Sequence, residues 1–139
     1  MNGKILAVDP GDKRIGIAVS DPTQTIANPL MVIKHVARVV DAAQIAQIAA
    51  DQDVVSIIVG CPYDLDGLSG PQARKSERMA EAIRSQTDLP VTLYDESGST
   101  QEARAARISM GVKRSKRAGH LDDLAAAIIL QSYLDSNQC

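Results

Sequence analysis

The amino-acid sequence predicts an α/β fold with a mixed five-stranded sheet, an antiparallel meander followed by parallel strands, and helices on both faces. Three observations support this prediction. Three short apolar segments open the chain and are separated by tight turns. Apolar segments then alternate with helical patterns, as in right-handed parallel crossovers. One of these segments, residues 54–59 (VVSIIV), is almost entirely β-branched, which is typical of a central strand covered on both faces.

The first three predicted strands form the meander. Residues 4–8 end at a D-P-G turn, residues 14–20 end at a D-P turn, and residues 26–33 form the third strand. Pro29 lies within that third segment and cannot donate a ladder hydrogen bond. The third strand is therefore predicted to lie at an edge or to contain a bulge.

Helices and strands alternate after the meander. Residues 36–50 are predicted to be a helix, because small and apolar residues recur at three- and four-residue spacing. These residues are Val39, Ala42, Ala46 and Ala49. After the strand 54–59 comes a polar loop, 60–70, and Pro71 suits the first position of a second helix. A fifth strand is predicted at residues 91–94.

The last part of the sequence predicts two helices joined by a basic loop. Residues 99–110 begin with S-T-Q-E, a capping box, and Gly111 follows them as a helix terminator. Residues 113–117 are predicted to connect the helices. Residues 121–134 are apolar nearly all round, which predicts a buried helix. We expect one domain that covers residues 1–139.

Composition excludes several classes of protein. The 139 residues include two cysteines, too few for a disulfide framework or a zinc site with four cysteines. The N-terminus has no signal-peptide pattern and the longest apolar run is too short to cross a bilayer, so we expect a cytoplasmic protein without a membrane partner. A net charge of −2 is unlike that of a protein that merely coats nucleic acid.

Three acidic residues are predicted at the rim of the sheet. Asp9 follows the first strand, Glu96 lies just past the fifth, and Asp122 opens the last helix. In open α/β sheets, sites lie at the carboxyl ends of the strands. Each acid also has an ordinary structural explanation: a turn cap, a solvated strand end and a favourable position at a helix N-terminus. Only their combination indicates a site.

Neighbouring residues leave the membership of this site open. Asp95 and Glu96 point to opposite faces of a strand, so only one of them can share a face with the first acid. Asp122 and Asp123 are about 100° apart around a helix, so the same choice arises there. The candidates for a fourth metal ligand are Asp95, Asp123 and His120.

The predicted acidic trio is a candidate divalent-metal site. Three carboxylates at one rim would repel one another, and the pKa of at least one would rise unless a cation were bound. Mg²⁺ and Mn²⁺ prefer such oxygen ligands. Two such ions, about 3.5–4 Å apart, could hold a phosphodiester and promote its hydrolysis. The glycines of the first hairpin, Gly11 and Gly16, could let backbone amides approach a phosphate, although a hairpin that needs positive φ explains them equally well.

Basic residues cluster near this predicted site. Six of the fifteen lysines and arginines lie between residues 104 and 117, with no acid among them. A charged run is usually a solvated loop, but beside an acidic site it could hold backbone phosphates. The candidate nucleic-acid-binding residues are Lys13, Arg14, Arg104, Arg107, Lys113, Arg114, Lys116 and Arg117. The chain has no Phe or Trp and three Tyr, so a base-stacking platform is not expected.

Four segments carry a resemblance to a known family. They read LAVDPGDKRIGIAVSDP, IIVGCPYDLDG followed by GPQA, DESGSTQEA, and GHLDDLAAAIILQSYLD, in that order. With these motifs the chain resembles the YqgF/RuvX family, relatives of the RuvC Holliday-junction resolvases, over nearly its whole length. The resemblance implies a ribonuclease-H-like fold in which Asp9, Glu96 and Asp122 are both the catalytic and the metal-binding residues, with Glu96 preferred to Asp95.

The same resemblance implies a function: a nuclease that matures the 5′ end of the precursor of 16S ribosomal RNA. Resolution of branched DNA is the alternative nuclease activity, and it would require a two-fold homodimer. A non-catalytic nucleic-acid adaptor and a sugar-kinase- or actin-like ATPase are further alternatives, although such ATPases need two domains. Two positions depart from the family pattern: Ser97, where an arginine is common, and Gly119, where a second acid would precede Asp122.

Overall fold

The computed structural model of the protein describes residues 3–61, 70–95 and 114–136, with side chains in the last range from residue 124 onward. The strands are β1 (Lys4–Pro10), β2 (Arg14–Ser20), β3 (Ala27–Lys34), β4 (Val54–Cys61) and β5 (Val91–Asp95). The helices in these ranges are α1 (Arg38–Gln52), α2 (Pro71–Arg84) and α3 (Arg114–Ser136). The predicted helix 99–110, its capping box and most of the predicted loop 60–70 lie outside the described residues.

The five strands form one mixed sheet in the order β3-β2-β1-β4-β5. The meander β1-β2-β3 is antiparallel, whereas β4 pairs in parallel with both β1 and β5. All five predicted strands and the mixed sheet are therefore confirmed. Strand β1 occupies the centre, which places its carboxyl end in the middle of one rim of the sheet.

Strand β3 shows both consequences predicted from Pro29. It forms the edge of the sheet and pairs with β2 alone. In the register, Ile17 faces Met31 while the next residue, Ala18, faces Pro29, so Leu30 is left over as a bulge. Proline lacks the amide that an interior ladder needs, and edges and bulges are the positions that tolerate this loss.

Helices cover both faces of the sheet, as predicted. Successive residues of a strand point to opposite faces. Leu6 and Val8 of β1 therefore lie in the apolar cluster that contains α1 and α2. Ile5 and Ala7 of the same strand lie in the cluster formed with α3. The central strand is thus buried on both sides.

The apolar face of α1 differs from the prediction. Val39 is 67% exposed, whereas the buried residues are Asp41, Ala42, Ile45, Ile48 and Ala49. The difference arises because a polar residue, Asp41, lies on the inward face and has its hydrogen-bonding partners there. Counting apolar residues alone therefore gives a helix face that is rotated from the true one.

Helix α3 begins at Arg114 rather than at residue 121. The predicted basic loop 113–117 is therefore wrong for the part that the structure describes, since Arg114, Lys116 and Arg117 lie in the first turns of the helix. Arginine, lysine and alanine are good helix formers, and the one glycine in this stretch costs only about 1 kcal/mol. None of the helices in the described ranges combines the length and the apolarity that crossing a bilayer requires.

The loop between β2 and β3 is organised by one carboxylate. The Oδ1 atom of Asp21 accepts hydrogen bonds from the amides of Thr25, at 2.7 Å, and Ile26, at 2.9 Å, and Thr23 donates its hydroxyl to Oδ2. The amide of Ile26 and the Thr23 hydroxyl are the largest causes that lower the pKa of Asp21 to about 2. The ionised carboxylate therefore stabilises this loop.

We expect Asp21→Ala to lower the melting temperature at neutral pH, because two loop amides lose their acceptor. The pKa is lower in the folded state than in the unfolded chain, so the stabilisation is present above about pH 4. It is lost as the pH falls through the folded-state pKa of about 2. The difference in urea midpoint between wild type and variant should shrink over that range. Asp88→Ala is the matched control, since Asp88 is exposed and forms no hydrogen bond within the described ranges. A difference that is constant with pH would contradict this account.

Candidate active site

Asp9 lies near the carboxyl end of the central strand. It is the last residue but one of β1 and pairs with Gly16 of β2, so it belongs to the strand rather than following it. The alternation that sends Ile5 and Ala7 to the α3 face also sends Asp9 there. The residue is half-buried. A carboxylate is thus fixed by strand pairing at the middle of the rim, on the side covered by α3.

Two glycines shape the hairpin that follows. The amide of Gly11 donates to the carbonyl of Arg14 at 3.0 Å, and a Cβ added to Gly11 would lie 2.4 Å from that oxygen. Gly11 is therefore required by close backbone contact, and not by positive φ, which among the glycines of the described ranges occurs at Gly3. Gly16 faces Asp9 directly across the ladder and has no side chain of its own there.

The register of β5 separates Asp95 from this face of the sheet. Tyr94 packs edge-on against Tyr133 of α3, with ring centroids 5.5 Å apart, so Tyr94 lies on the α3 face. The next residue, Asp95, pairs with Cys61 and belongs to the opposite face. Asp95 and Asp9 therefore lie on opposite sides of the sheet. Glu96 lies outside the described residues.

Helix α3 is anchored to the sheet through its C-terminal half. Gln131 accepts a hydrogen bond from the amide of Ala27 and donates one to the carbonyl of Thr25, both at 3.0 Å. The Ser132 hydroxyl lies 2.7 Å from the Tyr94 hydroxyl. The contacts of Gln131 hold α3 beside the start of β3, at the end of the meander opposite to Asp9. The backbone of Asp122 belongs to the preceding turns of the helix, and its side chain is not among those described.

The structure brings some of the predicted basic residues to the same hairpin as Asp9. Lys13 and Arg14 are exposed there. The first turns of α3 contain Arg114, Lys116 and Arg117. Arg104, Arg107 and Lys113 lie outside the described residues.

The metal-binding trio stays a prediction. In the ranges that the structure describes, no group of three or more His, Cys, Asp or Glu side chains lies close enough to hold a metal ion. Asp9 is the one member of the trio whose side chain is described. The side chains of the other two members, and those of Asp123 and His120, fall outside those ranges.

Sequence reasoning missed a lysine that fixes the hairpin. The ammonium of Lys75, on α2, donates to the carbonyl of Gly11 at 2.6 Å and to the carboxylate of Asp12 at 2.7 Å. Its hydrogen bond and its charge lower the pKa of Asp12. The loop that follows Asp9 is therefore tied to α2. No local pattern identifies such a lysine, because on an amphipathic helix it resembles any exposed basic residue.

A hydrogen-bonded histidine–aspartate pair lies behind the same hairpin. Asp41 is completely buried; it accepts hydrogen bonds from Nδ1 of His35 and, at 3.0 Å, from the amide of Val36. The backbone amide of His35 in turn donates to the carbonyl of Lys13 at 2.9 Å. This pair connects α1 to the hairpin. The signal in the sequence is an acid at the spacing of the apolar residues Ile45 and Ile48.

We expect His35→Ala to destabilise the protein by about 1–3 kcal/mol, because a buried carboxylate loses one of its two described donors. Asp41→Ala should also destabilise, but the double variant should cost less than the sum of the two single changes. Urea denaturation of the four proteins gives the coupling, which we expect to be about 1 kcal/mol or more. Strictly additive effects would show that the pair contributes nothing to stability.

The sequence matches a family of known proteins over nearly its whole length. A model of the family described as "RuvX: Holliday junction resolvase" covers residues 3–136. A protein of Roseiflexus sp. (strain RS-1), named "Putative pre-16S rRNA nuclease", is 36% identical over 98% of this chain and 96% of its own length. A protein of the same name from Thermoanaerobacter pseudethanolicus is 40% identical over 97% and 98%, respectively.

Solved structures share the architecture. RuvC of T. thermophilus, in complex with a Holliday junction substrate, superposes with a TM-score of 0.60 at 18% identity, covering 97% of this chain and 96% of that one. The fowlpox virus Holliday junction resolvase gives a TM-score of 0.57 at 20% identity, covering 96% and 99%. At these identities the likeness concerns the fold alone, and it confirms the predicted ribonuclease-H-like architecture.

Proposed function

The chain belongs to the RuvX family, and from that membership we propose that it is a divalent-metal-dependent nuclease that hydrolyses phosphodiester bonds. One observation carries the proposal. Asp9 is a half-buried carboxylate at the carboxyl end of the central strand, on the face covered by α3, with a side-chain-free residue opposite it. Strand pairing holds that oxygen ligand in place before any metal or substrate binds.

We propose Glu96 and Asp122 as the other ligands. Asp95 lies on the far face, and one further residue along an extended strand returns the chain to the face of Asp9. This alternation supports Glu96 over Asp95 on geometric grounds.

The helical repeat supports Asp122. Positions 126, 130 and 134 of α3 are buried against the sheet, and position 122 precedes them by one more turn of about four residues. From Gln131 back to Asp122 the helix is about 13 Å long at 1.5 Å per residue. Strand β1 spans about the same length from Ile5 to Asp9. Helix α3 is therefore long enough to carry Asp122 to the rim where Asp9 lies.

The proposed site suits Mg²⁺ or Mn²⁺. Carboxylate oxygens are the ligands that these hard cations prefer, and a two-metal site with Asp9 shared between the ions fits three acids. When bound, such ions would activate water and neutralise charge on the leaving oxygen. The protein itself holds the backbone of Asp9 in place by strand pairing with Gly16.

Basic residues on two sides of the site would position the substrate. Lys13 and Arg14 project from the hairpin next to Asp9, and α3 begins with three more cations. Arg104, Arg107 and Lys113 extend the proposed set. Contacts of this kind bind backbone phosphates without reading the base sequence.

We propose precursor 16S ribosomal RNA as the substrate, with cleavage that matures its 5′ end in the cytoplasm. The relatives that carry this name match the full chain at 36% and 40% identity, whereas the structures solved with branched DNA resemble it in fold alone. The family description favours branched DNA as the second candidate. Symmetric cutting of a junction requires a two-fold dimer.

We expect Asp9→Asn to reduce metal-dependent cleavage by at least about a hundredfold, because a lost metal ligand removes several kcal/mol of transition-state stabilisation. Asp95→Asn is the matched control: it removes the same charge at the same rim but on the opposite face, so its rate should stay close to that of the wild type. Single-turnover hydrolysis of precursor RNA in Mn²⁺ measures the cleavage rates of both variants. Equal rates for wild type and Asp9→Asn would remove Asp9 from the mechanism.

We expect Mn²⁺ to raise the melting temperature of the wild-type protein and to have little effect on that of Asp9→Asn, since a ligand stabilises only the state that binds it.

Precursor RNA and a four-way DNA junction, assayed side by side with the same protein, distinguish the two candidate substrates. Sedimentation of the protein in the same buffer gives its oligomeric state. A protein that binds RNA but gains no stability from Mn²⁺ would be an adaptor and not a nuclease.

A further inference from the structure

A cavity of about 560 Å³ lies on the face of the sheet opposite to Asp9. Three segments that are distant in sequence form its walls: the β1–β2 hairpin with Gly11 and Asp12, the start of α1 with Arg38, and the first turns of α2 with Lys75 and Arg78. Asp9 is not among the described residues of its walls, and it lies on the other face of the sheet. The cavity is therefore distinct from the position of Asp9.

The cavity has an excess of positive charge. Lys75 is paired with Asp12, so these two charges offset each other. His35 is engaged in a hydrogen bond with the buried Asp41. Arg38 and Arg78 remain, and within the described ranges neither guanidinium forms a hydrogen bond or an ion pair. Two guanidinium groups thus face one cavity with their donors available.

A neighbouring groove extends this surface. It has a volume of about 490 Å³, shares Arg38 and Arg78 with the cavity, and adds Arg74. Its acids are Glu77 and Glu81, and the carboxylate of Glu81 already accepts a hydrogen bond from Arg84, outside the groove. The two arginines therefore lie at the junction of two depressions, where a chain of phosphates could run from one to the other.

The chemistry of the walls selects a phosphate ligand over a base. The guanidinium fork matches phosphate oxygens in pairs, which an ammonium cannot do. Among the residues that the structure describes, no Phe, Tyr or Trp lines the cavity, so these walls offer no phenyl, phenol or indole ring on which a base could stack. Helix α2 also begins there with neither a side-chain cap nor an acid in its first turn, which adds a favourable partial charge.

The hairpin joins this cavity to the proposed active site. Gly11, which forms part of the wall, is two residues from Asp9, and Lys75 fastens that wall to α2. The two residue steps from Asp9 to Gly11 span at most about 7 Å of chain. A strand of nucleic acid that crosses the hairpin would thus reach both faces within a few nucleotides.

We propose that Arg38 and Arg78 form a second RNA contact, which binds backbone phosphates flanking the bond to be cut. This contact rests on the proposed function, since the RNA is the substrate of the nuclease. It acts by positioning: the RNA bends over the hairpin, with one phosphate at the acidic face and its neighbours in the arginine cavity on the other side.

The test measures RNA binding in EDTA, where cleavage does not interfere. Fluorescence anisotropy follows a labelled RNA hairpin titrated with wild type, Arg78→Gln and the Arg38→Gln/Arg78→Gln double variant at several salt concentrations. Lys4→Gln is the matched control for loss of one positive charge, because Lys4 begins β1 at the end away from the hairpin. Thermal melts establish that each variant is folded, which we expect because both arginines are exposed.

Each lost arginine should reduce the slope of log affinity against log salt by about one, and the double variant should bind at least about tenfold more weakly near 0.1 M salt. Lys4→Gln should change neither quantity. An unchanged slope and affinity in the double variant would overturn the proposal. A second outcome would also overturn the proposal: the two arginines bind inorganic phosphate, but their loss leaves the RNA affinity unaffected. The cavity would then be a site for small anions.

A measurement on the wild type keeps the test independent of variants. RNA should protect Arg38 and Arg78 from modification by phenylglyoxal, read by mass spectrometry, and leave Arg84 unprotected. Absence of protection at both arginines would contradict the contact.

Asp9→Asn separates the two proposals: it should bind RNA in EDTA with the wild-type salt slope although it cleaves poorly. If wild type bound RNA through these arginines and failed to cleave it with Mn²⁺, the nuclease would be wrong and the contact would stand.

Discussion

The double burial of β1 is the constraint on which the rest of the structure depends. Leu6 and Val8 pack under α1 and α2, and Ile5 and Ala7 pack under α3, so neither face of this strand can turn toward solvent. A shift of one residue in its register would exchange the two sets and move Asp9 to the wrong face. The hydrophobic core therefore fixes the face of the sheet on which the carboxylate lies.

The hairpin after Asp9 is rigid for different reasons. Gly11 approaches the Arg14 carbonyl so closely that no side chain fits, Lys75 bonds the turn from α2, and the amide of His35 bonds the Lys13 carbonyl from behind. The first contact closes the turn itself, and the other two link separate parts of the chain to it. A site held by several elements keeps its geometry when one element moves, which suits a carboxylate that must lie within reach of a metal and a phosphate.

Most of the fold follows from local patterns in the sequence. Strands β1 to β5 were predictable because turn residues bound each apolar run, and Pro29 even specified the edge. The inward face of α1 and the first residue of α3 were not predictable from such patterns. In α1 a buried acid, Asp41, takes an inward position that an apolar count assigns to Val39. At Arg114 a basic run reads equally well as a loop or as a helix, since charge does not decide between them.

In the candidate site too, local sequence patterns identify some residues and not others. The position of Asp9 at the rim of the sheet was predictable because it comes at the end of a buried apolar run. The face of the sheet on which Asp95 lies needed the register of β5, which no sequence pattern contains. The role of Lys75 and the arginine cavity were out of reach for sequence reasoning. They depend on contacts between segments that lie some sixty residues apart, such as Lys75 with Gly11 and Asp12.

The charge distribution explains why such local features matter for this chain. With a net charge of −2, the protein as a whole does not attract nucleic acid, and the acids of the proposed site repel it. Binding must therefore come from cations that are placed close to the phosphates, within the screening length of about 8–10 Å. Arg38 and Arg78 on one face, with Lys13 and Arg14 on the hairpin, form a path of positive charge around the rim that holds Asp9. A strand that follows this path is bent toward the carboxylate, so the same few cations supply affinity and direct the phosphate to the site.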